Sequence, residues 1–125
     1  MKTLIRELRG EHAVILSKIE DFARLLDSGE PPDVAAFLEF FDEYVEGRHH
    51  AKEEGKLFPL LRENGFLKAV VDGLLDEHEN ERRMVEHLRR GGNPAQILEI
   101  YLENLRWHIV KENTIVFNSA EAALA

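Results

Sequence analysis

The chain has no cysteine. Disulfides, zinc–thiolate sites and iron–sulfur clusters are therefore excluded. The absence fits a reducing compartment, and a cytoplasmic location is expected. Positive charge is scarce too: 16 Lys and Arg against 24 Asp and Glu leave a net charge of −8. That balance argues against nucleic acid or an anionic membrane as partner. No apolar run approaches the ~20 residues of a membrane span. With charges at Lys2, Arg6, Glu7, Arg9 and Glu11, no signal peptide is expected in this segment. Strand-like alternation and β-hairpin turns are missing as well.

The few breakers divide what remains into four pieces of similar length. The 125 residues, 44% of them apolar, suffice for one domain with a real core, expected over 1–125. Thr3 caps a first helix, expected over 3–27, before Ser28-Gly29. A second is expected over 33–58, with Pro59 ending or kinking it. A third, over 66–90, lies between Asn64-Gly65 and Gly91-Gly92. Asn93-Pro94 opens a fourth over 94–120, cap first and proline next. Short connections make neighbours antiparallel. The expected fold is all-α, an up-down-up-down antiparallel four-helix bundle.

Apolar residues three and four apart trace one stripe on each helix. Each stripe contains a histidine: His12 beside Leu8 and Ile15, His49 after Val45, His78 after Leu74, and His108 after Leu105. One histidine on such a face is usually a satisfied core residue; four on four helices are another matter. Glu53 follows His49 by four residues and Glu112 follows His108 by four, so each pair shares a helix face. A buried unpaired carboxylate costs several kcal/mol or takes up a proton. No lysine or arginine stands in the stripes to compensate, Arg82 excepted. Metal cations would supply the missing charge.

Helix rise tests this. In an antiparallel bundle His12 lies ~14 Å and His78 ~18 Å from one end. His49 and Glu53 lie ~14 and ~8 Å, and His108 and Glu112 ~18 and ~12 Å, from that same end. All six share one layer. Imidazole and carboxylate without sulfur suit iron, manganese or zinc. Two glutamates able to bridge two ions in a bundle core make the arrangement of di-iron carboxylate proteins.

The motifs Leu8-Arg9-Gly10-Glu11-His12, His49-His50-Ala51-Lys52-Glu53-Glu54 with Leu57-Phe58-Pro59, Glu77-His78 with Arg82, and His108-Ile109-Val110-Lys111-Glu112 together resemble a haemerythrin-like (HHE cation-binding) domain. The resemblance covers almost the whole chain. It implies a four-helix bundle with two iron ions, joined by carboxylates and an oxo or hydroxo group. It also implies that His12, His49, Glu53, His78, His108 and Glu112 are metal ligands. Members of the family bind dioxygen, sense oxygen, redox state or iron, respond to nitric oxide, or help repair iron centres. Oxygen carriers of the family present five histidines, two of them four apart on the third helix. Here Leu74 precedes His78 by four and Arg82 follows it by four, so one imidazole is missing there. Asn113 stands where carriers have an aspartate five after the last histidine.

Water, His50 or Glu81 could fill that gap. His50 is about 100° around the helix from His49, between the stripe and the solvated line of Glu43, Glu46 and Glu54, which reads more as surface than as ligand. Glu81 follows His78 by three, and such charged helix residues usually face water. Arg82 either closes the site through a carboxylate or is exposed, and His87 falls on the solvated face. The expected function is binding dioxygen or a related small diatomic or peroxide ligand for sensing, storage or carriage, with a protein redox or signalling partner. The alternatives are a di-iron enzyme (peroxidase, nitric-oxide reductase or iron-centre repair) and an iron buffer.

Overall fold

The structure is a computed structural model that describes residues 2–65 and 67–123. It is all-helical, with four helices and no strand among the described residues. Helix α1 is Lys2–Asp27, α2 spans 34–63, α3 is Lys68–Arg89 and α4 spans 94–123, so Thr3 lies inside the first helix rather than capping it and the fourth runs three residues past the expected 120. The expected start of the third helix at Phe66 lies outside the described residues, as do the chain limits at 1 and 124–125. No described helix is long and apolar enough to cross a membrane.

Local chemistry sets the ends. The Asp33 carboxylate accepts from the Ala36 amide at 3.0 Å, and the Asn93 side chain accepts from Gln96 at 3.1 Å. Gly29 and Gly91, with φ of 78° and 88°, close α1 and α3 in the left-handed region that other residues avoid.

Cross-helix contacts pair residues in opposite order. Glu11 meets Lys52 and Phe22 meets Phe37; Arg62 meets Asp72 and Asp42 meets Arg89; Arg9 meets Glu121 and Glu20 meets Arg106. This order is compatible with an up-down antiparallel bundle.

Both long helices α2 and α4 contain wide turns with i→i−5 bonding. In α2 they span Phe41–His50 and Glu53–Leu57, and in α4 Glu112–Val116. The second helix therefore does not end near Phe58. Pro59 lacks the amide that an ordinary turn would use, and the wide turn just before it absorbs the defect, so the helix runs on to Glu63.

Two apolar clusters flank a polar layer. One contains Ile15, Ile19, Phe41, Val45, Val85, Leu105 and Ile109; the other Ile5, Leu8, Leu57, Phe58, Val71, Leu74, Val116 and Phe117. Each fully buried aliphatic or aromatic side chain contributes about 1.5–3 kcal/mol. These clusters offset the cost of the ionisable layer between them.

Candidate metal centre

The polar layer contains His12, His49, His50, Glu53, His78, Glu81, His108 and Glu112, none more than 2% exposed. Two groups within it have donor atoms within 4.8 Å of one another. One is His50, Glu53, His78 and His108; the other is His12, His49, Glu53 and Glu112. Glu53 belongs to both, with Oε1 3.5 Å from His49 Nε2 and 3.5 Å from His78 Nε2. Glu112 Oε1 also touches both groups, at 3.1 Å from His12 Nε2 and 3.0 Å from His108 Nε2.

The six residues expected from sequence thus come together, with a seventh. The surface reading of His50 is overturned: it is 1% exposed and stacks on His78 with ring centroids 3.7 Å apart. The wide turn Phe41–His50 is the reason, because it changes the angular step so that His49 and His50 both point inward. Glu81 is also buried rather than water-facing. Its Oε2 lies 3.9 Å from His50 Nε2, at the edge of the group rather than within it.

The imidazoles share one orientation. His12 Nδ1 donates to Asn113 Oδ1 at 2.7 Å, His49 Nδ1 to Glu11 at 2.9 Å, His50 Nδ1 to Glu46 at 2.6 Å and His78 Nδ1 to Glu54 at 2.7 Å. His108 Nδ1 faces Glu77 at 3.6 Å. Every Nε2 is left to face the interior, as in metal-binding histidines held by an outer acceptor. Cations hold most of these acceptors in turn. Lys52 binds Glu11, Lys111 binds Glu77, and Arg82 bonds Glu46 and Glu54 together. The open question over Arg82 is thereby answered: it is half-buried and paired. His87 is exposed.

Sequence reasoning missed these outer acceptors. One signal pointed to them, an internal repeat. Glu11-His12 recurs as Glu77-His78, and the spacing of His49, Lys52, Glu53 and Phe58 recurs as His108, Lys111, Glu112 and Phe117. Glu11 and Glu77 serve equivalent histidines, and so do Glu54 and Asn113. Phe117 stacks on His12 and Phe58 packs against His78.

The inward atoms lack partners. His49 Nε2, His50 Nε2, both Glu53 oxygens and Glu112 Oε2 are buried without a hydrogen bond. His78 Nε2 and His108 Nε2 face each other at 3.2 Å. Burial, with Glu112 and Glu81 nearby, pushes the Glu53 carboxyl well above the usual carboxylate range. Burial drops His50 to about 4, and burial together with His50 and His108 drops His78 to about 3. Burial alone would lower His108, but Glu112, Glu77 and Glu81 hold it well above the usual histidine range. Neutral His50 and His78 suit a divalent cation directly, and cation binding would release the protons that His108 and Glu53 hold. The residues present fit a pair of such cations.

Fold and site define a helical protein with a buried imidazole–carboxylate centre able to hold metal. The chain belongs to the hemerythrin HHE cation binding domain family, whose pattern matches residues 3–121. Membership implies cation binding, typically of iron. No curated protein and no solved structure matches the chain.

Proposed function

We propose that the chain is an up-down antiparallel four-helix bundle holding two iron ions, and that it binds dioxygen or a related small ligand there. One observation carries the reading: Glu53 and Glu112 each contact imidazoles of both donor groups, as bridging carboxylates must. His50, His78 and His108 would hold one ion and His12 and His49 the other. Five imidazoles, divided three and two, make good the one missing from the third helix.

Bound iron supplies reducing electrons and a coordination position for a small ligand. The protein supplies the rest. With two imidazoles rather than three, the His12–His49 side would leave more of a bound ion's coordination free, and a small ligand would bind on that side. Phe117, 0% exposed and stacked on His12, keeps that side dry, which slows loss of the ligand to water. Outer acceptors fix each ring with Nε2 inward, so little reorganisation accompanies binding.

The enzyme reading is favoured by one feature. Burial raises the Glu81 carboxyl to about 7, a value suited to giving and taking a proton beside the His50 group.

Metal analysis of purified protein should give two irons per chain; zinc alone, or no metal, would sink the proposal. Anaerobic reduction followed by air then separates the readings. A carrier or sensor forms a stable, reversible coloured adduct. An enzyme turns over with peroxide or nitric oxide, and an iron buffer simply oxidises.

A further inference from the structure

No residue of either donor group is more than 2% exposed, so a cation reaches the centre only through a seam between helices. Each seam is closed at this level by a cation. Lys52 on Glu11 closes α1–α2, Arg82 on Glu46 and Glu54 closes α2–α3, and Arg9 on Glu121 closes α1–α4. Lys111 on Glu77 closes α3–α4. The four are not equally secure. Side-chain exposure is 26% for Lys52, 29% for Arg82 and 34% for Arg9, but 49% for Lys111.

Beside Lys111 lies a cleft of about 270 Å³, lined by Glu77, Asn80, Glu81, Asn104, Trp107 and Lys111. Glu81 connects it with the interior. It lines the cleft, is 2% exposed, and turns Oε2 toward the metal-facing Nε2 of His50 without a hydrogen-bond partner. The fold does not require a carboxylate here. In the first half of the internal repeat the corresponding residue is Ile15, a fully buried apolar side chain behind the matching Glu11–Lys52 pair. Two carboxylates and two amides offer hard oxygen donors, which suit a hydrated divalent cation. An apolar gas would gain nothing from them.

We propose that the α3–α4 cleft captures a divalent cation from solvent and that Glu81 passes it inward to His50, His78 and His108. The inference rests on the two-cation reading above. Lys111 swings off Glu77 to admit the ion. Glu81 holds it between the surface carboxylate and the first imidazole while its water is shed.

The test is stopped-flow mixing of the metal-free full chain with Co²⁺. Visible absorption reports the imidazole-bound ion, and the fluorescence of Trp107, the single tryptophan, reports the cleft. Trp107 quenching should precede the absorption. Glu81→Gln should slow uptake about tenfold and leave the final two-ion stoichiometry intact. Asn80→Lys, on the exposed rim, should slow it as well, with an effect that shrinks in salt. The same charge placed at exposed Ser17 on α1 should do nothing. Wild-type rates in both Glu81→Gln and Asn80→Lys would overturn the proposal. So would loss of one ion from Glu81→Gln at equilibrium, which would make Glu81 a ligand instead. Wild-type stoichiometry reads the two-cation proposal separately: two ions with unchanged variant kinetics overturn the cleft alone, whereas no ions overturn both.

Discussion

At the scale of single residues, Glu53 sets function against stability. It is 0% exposed, both oxygens lack partners outside the site, and Glu112 lies beside it. Without metal such a carboxylate is a liability. Glu53→Gln should therefore stabilise the metal-free protein by about 1–2 kcal/mol, seen in denaturant unfolding. The same change should abolish uptake of the bridged ion pair. A metal-free Glu53→Gln chain less stable than wild type would show that the carboxylate is held by something other than a cation.

Arg82 acts one step further out. It ties Glu46 and Glu54, and through them His50 and His78. Arg82→Ala should weaken the ion on the three-imidazole side about 10–100-fold in chelator competition and spare the other. Arg82→Lys, able to hold one carboxylate but not both, should fall between. Equal affinities in all three proteins would reduce Arg82 to a surface ion pair.

The six core-stripe residues of the donor groups were legible because each interrupts an apolar period. Glu11, Glu46, Glu54 and Glu77 were not, because a charged helix residue looks the same whether it faces water or turns back onto a histidine.

At the scale of the element, the wide turn Phe41–His50 decides that His50 is inside. A glycine makes it possible. A Cβ added at Gly47 would lie 2.7 Å from the Asp42 backbone oxygen, closer than real contacts allow. In an ordinary exposed helix Gly→Ala gains about 0.5–1 kcal/mol. At Gly47 the sign should reverse, with a loss of about 1–3 kcal/mol and earlier loss of the ion on the His50 side. Gly55 lies in the next wide turn with open space around its Cβ position, and Gly55→Ala should show the ordinary gain. Thermal unfolding of the two variants measures the contrast. A stabilised Gly47→Ala would mean that the turn does not depend on this glycine.

Helix number followed from the caps and breakers, since Asp33, Asn93, Gly29 and Gly91 act locally. The wide turns did not. In Phe41–His50 the wide turn brings His49 and His50 to one face, where the 100° step of an ordinary helix put His50 in the wrong place.

At the scale of the molecule, the internal repeat relates α1–α2 to α3–α4 around the centre, and several departures from it fall together beside the donor groups. His50, Glu81 and Arg82 stand where the other half has Ile109, Ile15 and Leu16, and Glu46 stands where it has Leu105. Three of those counterparts, Ile15, Leu105 and Ile109, sit in the apolar cluster that abuts the layer, and Leu16 packs against it. The four polar residues interact as a unit: Glu46 accepts from His50 and Arg82, and Glu81 approaches His50. A single patch thus turns a near-symmetric pair of donor groups into unequal ones, with three imidazoles against two. Unequal groups fill in order. Anaerobic titration of the metal-free chain with ferrous iron should show two steps, the tighter on the three-imidazole side. His50→Leu restores the apolar character of the other half and leaves two imidazoles on each side. The two steps should then merge into one of doubled amplitude, without loss of either ion. Two resolved steps persisting in His50→Leu would place the asymmetry elsewhere, and a single step in the wild type would mean that the fifth imidazole does not distinguish the ions.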